Sequence, residues 1–141
     1  MLRYARSMTS AAFVPVTRWT DRRHLRGVRG ELHALAYLIS CGWEIESHRF
    51  RLGRNDIDLV VRRGCLIAFV EVKTRKSSKC GAPGEAVSAR KQATLARVAA
   101  GWRARYGRPG DAYRFDLVSV WVEGREPVRV EHVADAWRLS T

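Results

Sequence analysis

The sequence predicts one α/β domain of the α+β kind, a mixed central sheet with helices packed against it, in the order α-β-β-β-α-β-β. Three observations carry this expectation. Two segments repeat apolar residues at helical spacing, the rest of the apolar content falls in short β-branched runs, and Gly-, Pro- or Ser-rich stretches separate the segments. A chain of 141 residues with 46% hydrophobic content can build one core of useful size.

The first 27 residues show no sustained periodicity, are rich in Arg, Ser and Thr, and read as a flexible basic extension ahead of a single domain over 28–141. Their composition also resembles an organellar transit peptide, against which Asp21 and the lack of an amphipathic run both count. From Gly30, Leu32, Leu35, Ala36, Leu38 and Ile39 recur at helical spacing, and Gly42 supplies the stop. The weakly alternating Trp43 to Arg51 reads as a strand, followed by the polar loop "RLGRN". The stretch "DIDLVVRRGCLIAFVEVKTR" holds two β-branched runs around "RRG" and predicts an antiparallel hairpin.

"KSSKCGAPGE" reads as a loop. Over 85–105, Val87, Leu95, Val98 and Trp102 fall at spacings of 8, 3 and 4, an amphipathic helix that stops before Gly107 and Pro109. "YRFDLVSVWVE" and "PVRVEHV" are two more strands, with a short terminal helix expected near "ADAW".

Charge narrows the partners. Lys and Arg number 26 against 14 acids, a formal net charge of +12, which suits a polyanion. The first 30 residues hold seven arginines against Asp21 alone, while residues 31–141 hold 19 basic and 13 acidic side chains, so the domain is basic without its extension. No apolar run approaches the roughly 18 residues that cross a bilayer, and a cytoplasmic protein with no membrane partner is expected. Cys41, Cys65 and Cys80 are odd in number and form no CxxC, so neither a disulfide framework nor a zinc site is supported.

Alternation along the third strand puts Ile67, Phe69, Glu71 and Lys73 on one face. With Arg63-Gly64 as a two-residue turn, Asp58 faces Phe69 and Asp56 faces Glu71, so both aspartates share the side of Glu71 and Lys73. Asp58 is then the diagonal neighbour of Glu71, at roughly 5.5 to 8 Å between backbones. Glu31 lies three, four and seven residues before Ala34, Leu35 and Leu38, on an apolar stripe, and Lys91 falls between Val87 and Leu95 on the inward line of the second helix. Unpaired charges on core-facing surfaces are costly. Clustered carboxylates with room for water suit Mg²⁺ or Mn²⁺, which bind through a few carboxylates and substrate phosphate oxygens. Arg75, Lys76, Lys79 and Arg90 supply basic surface for flanking phosphates.

These residues resemble a known family. "DIDLV…FVEVKTR", preceded by "RGELHALAYLISCGW" and followed by "YRFDLVSV…VEHVADAW", is similar to the YraN-like family of bacterial proteins, over about residues 28 to 137. The resemblance implies the αβββαβ core of the PD-(D/E)XK nuclease superfamily, which includes restriction endonucleases and archaeal Holliday-junction resolvases. It implies Asp58 and Glu71 as metal ligands, Lys73 as the catalytic lysine and Glu31 as a helix-borne carboxylate near the metal, with Asp56 and Lys91 as auxiliary candidates. "RNDIDL" stands where family members read "GEIDL", which leaves Asp56 shorter than the usual Glu, and His48 stands at a common Asn.

The expectation is a metal-dependent endonuclease acting on DNA, branched or flapped by analogy with resolvases, and working as a homodimer as resolvases do. The competing reading is a nucleic-acid-binding adaptor that kept the fold without catalysis. A Glu-x-Lys alone reads as a solvated strand end, and Asp58, Glu31 and the ordered segments tip that balance. Asp116 is expected to pair with Arg114, the four histidines to carry no ligand role, and the tryptophans to pack the core.

Overall fold

The computed structural model describes residues 22–76 and 87–138. Helix α1 (Arg22–Ser40) leads into strands β1 (Glu44–Leu52), β2 (Asn55–Arg63) and β3 (Leu66–Lys76). Helix α2 (Ala89–Tyr106) follows, then β4 (Ala112–Glu123) and β5 (Glu126–Trp137). The strands form one sheet in sequence order. Neighbours are antiparallel except β3 and β4, whose parallel pairing the α2 crossover makes possible. This is the expected α+β architecture, a five-stranded mixed sheet flanked by two helices. No helix among the described residues is long and apolar enough to cross a membrane.

Each helix covers one face. Ala34, Leu35 and Leu38 of α1 pack on Val61, Ala68 and Val70, whereas Leu95, Val98 and Trp102 of α2 pack on Val60, Ile67 and Phe69. The odd residues of β3 therefore point to the α2 side and the even ones to the α1 side. Ser88 caps α2, its hydroxyl accepting from the Lys91 backbone N–H at 3.2 Å. Trp102 Nε1 donates to Ser47 Oγ at 3.0 Å and ties the helix to β1. At Gly30 a Cβ would collide with the Thr74 side chain, so only glycine lets α1 lie this close to the end of β3.

Four expectations change. Arg63 pairs with Leu66, so the turn is Gly64-Cys65 and the hairpin register moves by two residues. Gly64 has φ +64 and Cys65 is not among the positive-φ residues, which puts the glycine at the first turn position, as a type II′ hairpin requires. An even shift leaves Leu59, Val60 and Val61 on their predicted faces, whereas Ile57 packs with Val60 on the α2 side. The terminal helix at "ADAW" is instead strand: Trp137 pairs with Phe115 and stacks on it at 5.1 Å, while the Asp135 N–H donates to Asp116 Oδ1 at 3.0 Å. Packing of that aromatic pair outweighs the helical propensity of a four-residue segment.

Lys91 is exposed, because the buried line of α2 runs through Leu95, Val98, Ala99 and Trp102 and does not extend back to the first turn. Finally, α1 already starts at Arg22, inside the stretch read as extension, whereas residues 1–21 and the predicted loop with Lys79 lie outside the described residues.

Candidate active site at the end of β3

The apolar run of β3 ends at Val70, and the next odd positions carry Glu71, Lys73 and Arg75 toward the α2 side. The last pair of the β2–β3 ladder is Leu59↔Val70, so Asp58 and Glu71 are the next residues on the two strands. Asp58 Oδ2 accepts from the Val72 N–H at 2.8 Å, which fixes the carboxyl against β3 where the ladder stops. Glu71 is 8% exposed, and among the described residues no side-chain hydrogen bond or ion pair ties Glu71 or Lys73.

Electrostatics matches this crowding. Burial pushes the Asp58 carboxyl well above its ordinary range, and the charges of Glu71 and Glu31 push the same way against the single Val72 N–H bond. By exposed area Asp58 is only half-buried, yet protein surrounds it closely, and the like charges reinforce the direction. Burial also raises Glu71, with Asp56 and Glu31 adding to it, while the nearby charges of Lys91 and Lys73 oppose the rise. Lys91 thus joins the site from the first turn of α2 although it is not a core residue. Asp56 is half-buried, pairs across β1 with Arg51, and acts on Asp58 and Glu71 as a neighbouring charge.

Glu31 is placed differently. It is 4% exposed, with Oε1 accepting from Arg49 Nε at 2.9 Å and Oε2 from Arg49 Nη2 at 2.6 Å. His48 Nε2 lies 3.1 Å from Oε1. Burial alone would raise the Glu31 carboxyl, but Arg49 and His48 outweigh it and hold it below the usual range. Neither partner figures in the sequence-based site. Nothing in the sequence pattern singles out Arg49, whose left-handed backbone, φ +51, is a feature that sequence does not display.

The carboxylates fit a hard divalent cation in part. Asp58 and Glu71 form a two-oxygen-donor wall whose mutual repulsion a cation would relieve, and Mg²⁺ is often held by one or two carboxylates plus water and phosphate. No group of three or more His, Cys, Asp or Glu among the described residues is arranged to hold a metal. Both Glu31 oxygens accept from Arg49, and Oε1 also lies against His48.

The surrounding surface is basic. Helix α2 has Arg90, Lys91, Arg97, Arg103 and Arg105 and no acidic residue, and all five cations are exposed. Lys76 is exposed too, and Arg75 keeps Nε and Nη2 buried with no hydrogen-bond partner. Asp116 is fully buried by Arg114 and His132, as expected of a structural carboxylate.

Residues 30–120, which include Glu31, Asp58, Glu71, Lys73 and Lys91, match the model of uncharacterised protein family UPF0102. The chain belongs to the UPF0102 family. A UPF0102 protein of Geobacter sulfurreducens is 34% identical over 90% of this chain and 99% of its own length. One of Moorella thermoacetica is 39% identical over 77% and 91%, and one of Symbiobacterium thermophilum 43% identical over 67% and 80%. These UPF0102 relatives agree with the YraN-like resemblance and span nearly the same domain. Their names carry no activity.

Proposed function

We propose that this UPF0102 protein is a divalent-metal-dependent endonuclease that hydrolyses phosphodiester bonds in nucleic acid, DNA by preference. One observation carries the reading: Asp58 and Glu71 are crowded, mutually repelling carboxylates where the β2–β3 ladder ends, with Lys73 two residues further on the same face of β3. A folded chain has no structural use for that arrangement, whereas phosphoryl chemistry uses each part of it. Asp58, held by the Val72 N–H, and Glu71 would hold Mg²⁺ or Mn²⁺, which when bound neutralises a scissile phosphate and acidifies a water. The Lys73 ammonium orients the attacking water or meets the charge that develops on the phosphate. Arg75, Lys76, Arg90 and the exposed arginines of α2 hold flanking phosphates, as point charges that confer affinity without sequence preference. Branched or flapped DNA and a working homodimer belong to this proposal through the resemblance to resolvases.

The adaptor reading is favoured by the engaged state of Glu31, both of whose oxygens accept from Arg49. Both readings require salt-sensitive DNA binding, so cleavage separates them. Purified protein with Mn²⁺ or Mg²⁺ is expected to cut at least one of duplex, single-stranded, flap and four-way DNA. Intact substrates across several pH values, with DNA still bound at low salt, would leave the adaptor.

A further inference from the structure

Arg49 has a left-handed backbone, φ +51, in the middle of β1, a conformation that costs a non-glycine residue about 1 kcal/mol or more and persists only where its surroundings enforce it. The enforcing contact is the two-pronged bond to the buried Glu31. The backbone reversal also changes the sheet. His48 lies opposite Leu59 on the α1 side, yet Phe50 and its partner Ile57 pack in the α2-side core, so the strand turns over at the level of Arg49 and Asp58. That turn brings His48 and Arg49 together on one carboxylate.

The guanidinium serves more than Glu31. The carboxylates of Asp58 and Asp56 are close enough to favour its charged form as well. One fixed cation thus faces three acids of the same neighbourhood, and it spends its fork on Glu31. We infer that Arg49 is an internal counter-cation of the active site, a positioning residue that keeps Glu31 out of the metal's coordination and weakens divalent-cation binding. The inference rests on the metal-dependent reading above. Its chemical content is competition. A guanidinium and a divalent ion near the same carboxylates repel each other, and Arg49 holds one acceptor site on each Glu31 oxygen for which a metal would have to compete.

The test is a calorimetric Mn²⁺ titration of the chelator-stripped full chain as wild type, Arg49→Gln, Glu31→Gln and the double variant. Arg49→Gln is expected to bind Mn²⁺ at least tenfold more tightly than wild type, and binding in the variant with none detectable in wild type is the extreme of the same result. Equal or weaker binding beside a wild type that binds overturns this inference and leaves the metal-dependent reading standing. No binding in any of the proteins overturns both.

Should Arg49→Gln fail to fold, the double variant replaces both members of the ion pair by amides. It is expected to bind Mn²⁺ at least tenfold more tightly than Glu31→Gln, from which it differs only by the Arg49 charge. If the double variant also fails to fold, or binds no better, Arg49 is a structural strut and the inference falls.

Discussion

Asp58→Asn is expected to make the metal-free protein more stable at neutral pH while removing its response to metal. Asn keeps an oxygen for the Val72 N–H, so the substitution deletes a charge without deleting a hydrogen bond. Neighbouring side chains on adjacent strands sit roughly 5.5 Å apart, and two like charges at that separation cost ~3 kcal/mol at an effective dielectric near 20. Solvent access at Asp58 screens part of this, leaving roughly 1–2 kcal/mol, a rise in Tm of about 4–8 °C for a domain of this size.

The sign with pH follows from the direction of the shifts. Asp58 and Glu71 are both raised, so the folded chain retains a proton that the unfolded chain has lost above about pH 4. Wild-type stability therefore falls as pH rises above that point, and the advantage of Asp58→Asn grows with it, larger at pH 8 than at pH 4. Thermal denaturation in chelator at the two pH values measures this. Added Mn²⁺ should raise the wild-type Tm and leave Asp58→Asn unmoved. A variant less stable than wild type at pH 8, or equally advantaged at both pH values, would refute the argument.

Gly30→Ala forces α1 off the end of β3 at Thr74 and should destabilise by about 1–3 kcal/mol, read in urea denaturation. Arg62→Ala leaves the carboxylates of Glu46 and Asp111 without their shared guanidinium and should cost about 3–5 kcal/mol by the same assay. Asp111 is lowered to about 2, mainly by its Arg62 bond, so the stability it supplies is present above pH 4 and is lost as pH falls toward 2; Asp111→Asn should flatten that part of the acid profile. Replacing Arg97 and Arg105 by Ala should weaken DNA binding evenly across sequences and reduce the slope of log K against log salt by about 2.

Periodicity was enough to read the sheet and both helices, because each strand and helix buries one face and that face is written in the spacing of Val, Ile and Leu. It also put Asp58, Glu71 and Lys73 on one face, and an error of two residues in the hairpin turn left that conclusion intact because the side-chain period is two. Two features escaped. The helix expected at "ADAW" is a strand because Trp137 stacks on Phe115, a contact between residues 22 positions apart that no local pattern announces. Arg49 was invisible for the same reason: its role depends on a left-handed backbone and on Glu31, 18 residues earlier on another element. Glu31 was correctly singled out as a buried anomaly, but its partner is a guanidinium of the chain itself.

Cleavage of end-labelled DNA in Mn²⁺, with wild type, Asp58→Asn and Lys73→Ala purified and assayed side by side, tests the central claim most directly. Wild type should cut in a metal-dependent manner that chelator abolishes, and both variants should fold, bind DNA and fall at least a hundredfold in rate. Variants that cut as fast as wild type, or a wild type inert on every DNA offered, would contradict the assignment of the carboxylates at the end of the β2–β3 ladder as an active site.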